Sequence, residues 1–227
     1  MLRDKRSDYP KAVTPRGVAI FPALTRPDFK FKTEFGEYHC RLRLSPDAPG
    51  LDDLIAQAEA ILDEAFEAKK AELTRQKKGA LLKQLYKIDI LKPELDRESG
   101  EETGFVVLRA SANAGGKKKD GSIWKGRIDL FNRKGEQLKN PLEIGSGSEL
   151  KLGVRIMDYE TDGGKGIGVR FELEGAQLLK VASGGARTAA DHGFGAEEDG
   201  NDIEDQAASP GFSDEGGSGD AGDDGDF

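Results

Sequence analysis

The sequence predicts a mainly β protein: a five-stranded barrel with one long amphipathic helix packed on it, followed by a disordered acidic C-terminal tail. Three observations predict it. Period-two alternation of apolar and polar residues dominates the stretch up to Val181. One segment with apolar residues three and four apart interrupts that alternation. From Thr188 to Phe227 there are 13 acidic residues and no lysine or arginine, whereas the other 187 residues hold 34 basic side chains against 29 acidic ones. The overall charge of -8 is therefore a body of +5 joined to a tail of -13.

The elements follow in order. Gly17–Leu24 (GVAIFPAL) reads as a first strand. FKFK at Phe29–Lys32 falls in the loop after it. Tyr38, Cys40, Leu42 and Leu44 then alternate with His39, Arg41 and Arg43, a half-buried strand with a basic outer face. SPDAPG stops that strand and starts a helix over about 51–78, whose apolar stripe is Leu51, Leu54, Ile55, Ala58, Ile61, Leu62, Ala65 and Phe66. Within 80–104, LLKQLYKIDIL either extends the helix or forms a short strand, and PELDRESGEETG is a loop. Phe105–Ala114 reads as a strand buried on much of both faces. A glycine-rich hairpin carrying Lys117, Lys118 and Lys119 joins it to a further strand, Ile123–Phe131. Leu150, Leu152, Val154 and Ile156 alternate with Lys151, Arg155 and Tyr159, apolar inward and basic or aromatic outward. The turn DGGKG leads into Val169–Val181. The five-stranded oligonucleotide-binding (OB) barrel accommodates this order; a β-sandwich is the alternative. The domain spans 1–183 and the tail 184–227, whose composition of Gly, Ala, Ser, Asp and Glu offers too little apolar surface to offset ordering entropy.

Composition excludes several classes. The apolar fraction is 36%, below the roughly 45–50% of ordinary globular domains, so part of the chain stands outside a core. No run of about 18 apolar residues exists to span a membrane, and the N-terminus lacks the apolar segment of a secretory signal. Cys40, the only cysteine, points inward as a small hydrophobe. His39 and His192 cannot assemble a metal set, no Gly-x-x-x-x-Gly-Lys-Ser/Thr phosphate loop occurs, and acid pairs cluster where solvation explains them. Neither an enzyme nor a cofactor is expected.

The charge asymmetry points to a polyanion partner for the body. Non-specific binding of a single strand needs cations for phosphates and aromatic faces on which bases stack. Lys30, Phe31 and Lys32 interleave the two. Arg41 and Arg43 line one strand, Lys117–Lys119 tip a loop, and Trp124 with Lys125 follows. Lys151, Arg155 and Tyr159 share an outward face. Phe29 and Phe31 are either stacking residues or core residues at a strand end. Trp124 shares its face with Ile128 and Leu130, so it either stacks or packs. The arm with Arg3, Lys5, Arg6, Lys11 and Arg16 either wraps a phosphate backbone or frays. In the tail, Asp223, Asp224, Asp226 and Phe227 have the form of a docking peptide, one buried aromatic steered by acids.

RPDFKFKTEFGEYHCRLRLSPD, the run from IDLFNRKGEQLKNPLEIGSGSELKLGVRIMDYE to ELEGAQLLKV, and the acidic terminus closing on Asp226–Phe227 together resemble the single-stranded DNA-binding proteins of short-tailed lytic bacteriophages. The resemblance implies an OB barrel with a long helix and Tyr159 at the DNA face. Phe35 stands where the family pattern has an arginine, with Lys32 or Arg41 as substitutes. It further implies coating of single strands in phage replication, recombination and repair, in the cytoplasm of the infected bacterial host. A homodimer and tail contacts with the phage DNA polymerase and the helicase–primase are implied as well. The alternatives are an acidic-tailed protein-interaction module and an RNA-binding OB barrel.

Overall fold

Alternating apolar residues give a strand one face that must be covered, and here five long strands curl into a ring that encloses that face. The computed structural model describes residues 6–96, 98–139 and 143–182, all within the first of the two units of the chain, Met1–Ala186 and Arg187–Phe227. The expected tail residues Asp223, Asp224, Asp226 and Phe227 lie outside the described residues. The strands are β1 (Lys11–Val13), β2 (Gly17–Asp28) and β3 (Glu37–Leu44), followed by helices α1 (Leu51–Arg75) and α2 (Gly79–Leu82). Then come β4 (Tyr86–Lys87), β5 (Lys92–Leu95), β6 (Glu102–Asn113), β7 (Gly115–Lys117), β8 (Ile123–Lys125), β9 (Asp129–Phe131), β10 (Glu149–Thr161) and β11 (Gly166–Lys180).

The ring runs β10–β2–β3–β6–β11 and back to β10. Its antiparallel seams β2–β3, β3–β6 and β10–β11 are long. The parallel seam β6–β11 holds only Phe171↔Ala110 and Glu172↔Ser111, and β10–β2 only Glu149↔Val18 and Leu150↔Gly17. It is a closed ring, though not a regular barrel, and its order and strand directions are those of an OB fold. Leu42, Leu108, Leu150, Leu152, Ile156 and Leu173 fill the interior, each 2% exposed or less. A buried leucine of this kind contributes about 1.5–3 kcal/mol.

α1 lays Leu54, Ala58, Ile61, Leu62 and Ala65 against β10 and β11. Asp52 and Asp53 in its first turn face the positive end of the helix dipole. The helix stops at Arg75, three residues short of the expected end, because Lys77 turns to φ 54. After it, 80–104 yields one helical turn and two short strands, β4 and β5, that pair with β11 and β6.

Two strand expectations are corrected. Ile123–Phe131 is not one strand: β8 pairs with β7 in a separate two-stranded ribbon, while β9 runs parallel to β11. The break places Trp124 at 38% exposure, whereas Ile128 and Leu130 are buried, so the three do not share a face. Phe105–Ala114 is not buried on both sides either, since Phe105, Arg109 and Asn113 of β6 are exposed.

Candidate nucleic-acid interface

In an OB barrel the second and third ring strands, together with the loops joining strands one to two and four to five, border the groove that takes oligonucleotides. In this chain those parts are β3, β6, residues 29–36 and residues 162–165. Alternation in β3 sends Tyr38, Cys40, Leu42 and Leu44 into the core and leaves His39, Arg41 and Arg43 outside. The register sets Arg41 opposite Arg109 and His39 opposite Ser111. Two exposed arginines therefore stand opposite each other on the outer face, a pairing of like charges that an anion shared between them would relieve.

Around this pair the cations are held by carboxylates. Arg43 donates through Nε to Glu94 at 2.8 Å and lies 5.4 Å from the Phe105 ring centre, a cation–π contact. Lys32 reaches out of the 29–36 loop to Asn113 Oδ1 at 2.6 Å and to Glu37 at 3.3 Å, and Arg109 is 3.6 Å from the same carboxylate. Burial pushes the Glu37 pKa up, but the Ser111 hydrogen bond, Lys32 and Arg109 more than offset it and hold the group below its ordinary value. Glu94 is likewise raised by burial and lowered further by Arg43 and Thr103, with a net fall. Asp28 is lowered chiefly by the backbone N–H of Lys30 and then by His39. These acids stay ionised at neutral pH and neutralise part of the face.

The loop and the ribbon border it. Phe31 is 83% exposed, with Lys30 5.4 Å from its ring centre, and Phe29 is also exposed. Neither belongs to the core. Lys117 pairs with Glu34 and approaches the half-buried Phe35 ring, which ties the ribbon to the loop. Lys118, Lys119 and Lys125 are exposed. The Trp124 ring lies against Gly116, where a Cβ would come within 2.8 Å of its Nε1.

The expected basic face of β10 is taken apart by tertiary contacts. Arg155 is buried: it donates to Glu174 at 2.9 Å and to the carbonyls of Arg6, Ser7 and Tyr9 at 3.1, 3.3 and 2.9 Å. Its guanidinium anchors the N-terminal arm, so it does not stand on the wet face expected of it. Arg6 and Lys11 also pair with Glu174, and Arg16 with Glu149, so the described part of the arm is tied to the ring. Lys151 is half-buried, on a strand that lies across the ring from β3 and β6. Tyr159 is half-buried against Gly168, three residues before the β10–β11 turn that borders the groove.

Sequence reasoning missed Arg109 and Phe105. Both lie in the segment read as a strand buried on much of both faces, and only the register with β3 brings them to that outer face. Among the described residues no three His, Cys, Asp or Glu side chains gather to hold a metal ion.

A family model described as the single-stranded DNA-binding protein of bacteriophage T7 matches residues 17–181. Among solved structures, the chain is similar to gp2.5, a single-stranded DNA-binding protein encoded by bacteriophage T7. The TM-score is 0.62 at 20% identity, over 86% of this chain and 100% of that one. The single-stranded DNA-binding protein from bacteriophage Enc34, in complex with ssDNA, gives a TM-score of 0.46 at 19% identity, over 78% of this chain and 89% of that one. No curated protein matches the chain.

Proposed function

Because the chain belongs to the family of the single-stranded DNA-binding protein of bacteriophage T7, we propose that it binds single-stranded DNA without sequence preference across the outer face of β3 and β6. The observation that carries the reading is the Arg41–Arg109 pair, framed by Lys32, Arg43 and Phe105. Paired arginines suit a phosphate backbone, and exposed rings beside them suit unstacked bases. Phosphate contacts carry no base identity and stacking accepts any base, which fits coating better than recognition. Phe31, Trp124 and the lysines Lys30, Lys117, Lys118, Lys119 and Lys125 extend the face along the loop and the ribbon.

The tail enters as a competitor. A segment of charge -13 tethered to a body of +5 sits at high effective concentration beside the cationic groove and shields it. A single strand carries denser charge and releases counterions on binding, so it displaces the tail. The displaced tail, led by Phe227, then docks on replication proteins such as the phage DNA polymerase and the helicase–primase. This couples coating to recruitment in replication, recombination and repair within the infected host cell. In the unliganded protein the tails join two copies into a homodimer.

Fluorescence anisotropy of labelled oligo-dT, with duplex DNA and oligo-rU as competitors at two salt concentrations, tests the reading. Tight binding that weakens with salt and resists duplex is the expected result. With about five phosphates neutralised, log affinity falls with log salt at a slope of roughly -3.5. Absence of binding at low salt, in the full chain and in a chain ending at Ala182, would reject single-strand binding and favour a protein-interaction role. Preferential displacement by oligo-rU would assign the face to RNA.

A further inference from the structure

The outer face of β3 and β6 continues onto β11. The parallel ladder of β6 and β11 opens at Ala110↔Phe171, both buried, so Arg109 and Arg170 stand just before it on the outer side, one on each strand. Arg170 is exposed, its Nη2 lies 3.9 Å from Met157 Sδ, and among the described residues no carboxylate pairs with it. Arg41, Arg109 and Arg170 therefore form a row across three neighbouring strands.

Beyond Arg170 the row meets two tyrosines. Ile167, Val169 and Phe171 of β11 point into the core, so alternation sends Gly166, Gly168 and Arg170 outward. Tyr159 of β10 pairs with Gly168 and Tyr86 of β4 with Gly166, from opposite edges of β11. A Cβ at Gly166 would come within 2.9 Å of the Tyr86 hydroxyl, and one at Gly168 within 2.7 Å of the Tyr159 ring. Glycine inside a strand forgoes side-chain packing, and here it lets two rings close over the backbone. From the helix side, Lys87 of β4 reaches Asp63 of α1 at 2.6 Å and lies 5.2 Å from the Phe66 ring centre. The Tyr86 N–H donates to the Lys165 carbonyl at 3.0 Å. These contacts hold Tyr86 beside the 162–165 turn and still leave it 45% exposed.

We propose that Arg170 and Tyr86 form a further nucleotide subsite at this end of the face, where a strand leaving Arg109 meets Arg170 with a phosphate and lays a base on the Tyr86 ring. The inference rests on the single-strand binding proposed above and carries the path of the strand across β11 to the 162–165 turn. A guanidinium suits the phosphate, and an exposed ring accepts any base, so the subsite tolerates any sequence.

The test compares the full chain with Tyr86→Leu, Tyr86→Phe and Arg170→Ala, each titrated by anisotropy at low and rising salt. Two labelled probes are used, oligo-dT and a base-free deoxyribose-phosphate strand of the same length. In Tyr86→Leu the expected result is a loss of oligo-dT affinity of roughly 5- to 150-fold, with the salt slope and the affinity for the base-free strand unchanged. Tyr86→Phe keeps the ring and retains the affinity. Arg170→Ala flattens the log–log salt slope by about 0.7 on both strands. A tyrosine that only packs on Gly166 would lower binding of the two strands equally when replaced. Unchanged oligo-dT affinity in Tyr86→Leu, an equal loss on the two strands, or an unaltered slope in Arg170→Ala overturns the subsite while single-strand binding stands. Failure of the unsubstituted chain to bind oligo-dT overturns both.

Discussion

Arg41 and Arg109 face each other across the β3–β6 seam, and the pairing has a measurable signature. If each meets one phosphate, Arg41→Ala and Arg109→Ala each flatten the log–log salt slope by about 0.7. Because the two are neighbours sharing one strand of phosphates, the double variant loses less affinity than the two single losses combined. Anisotropy titration at several salt concentrations measures both, and slopes unchanged in either variant would remove that arginine from the interface. Arg155→Ala behaves otherwise, since its guanidinium serves Glu174 and three carbonyls of the arm. Its expected loss is in stability, about 1–3 kcal/mol by urea melting. Cys40 is similarly a matter of packing: burial pushes its thiol pKa up to about 12, so it does not react as a thiolate. In the sequence, Arg41, Arg43 and Arg155 are all basic residues alternating with apolar ones. Alternation separates inside from outside, but it does not say which outer residues a later segment covers.

Among the elements, the N-terminal arm is held in part by the Glu174 carboxylate, which pairs with Arg6, Lys11 and Arg155. Burial raises the pKa of Glu174, but Lys11 and Arg155 outweigh it and set the group below its ordinary value of 4.5. A carboxylate lowered in the folded state contributes stability that is fully present above 4.5 and is lost as pH falls through the lowered value. Glu174→Gln therefore speeds amide exchange in β1 at neutral pH, and the difference from the unsubstituted chain fades under acid conditions. Equal β1 exchange rates at neutral pH would show that the arm is held without Glu174. The ribbon β7–β8 offers a second test through Trp124, the only tryptophan. In Gly116→Ala the new methyl group meets the indole, which swings off the ribbon and shifts its emission to the red. An unmoved emission maximum would mean that the ribbon yields instead. The helix was legible from its apolar spacing, and four of the five ring strands from alternation. The ribbon was not, because Ile123–Phe131 read as one strand with Trp124 on the face of Ile128 and Leu130, and nothing local marks the change of partner between β8 and β9.

For the whole molecule, charge is the organising quantity. Deleting residues 188–227 removes the -13 segment and leaves the +5 body, so binding to oligo-dT tightens at low salt and converges with that of the full chain as salt rises. If the shortened chain binds no more tightly at low salt, the tail does not compete for the groove. The sequence by itself determined the mainly β class, the single long helix, the split of charge between body and tail, and the basic row on β3. Each of these depends on residues near one another in the chain, where periodicity and composition act directly. The tertiary structure alone decided the pairing of Arg41 with Arg109, the burial of Arg155, and the separation of β10 from the β3–β6 face. Those follow from strand register and ring order, which are fixed by contacts between residues far apart in the chain, and a local pattern carries no record of them.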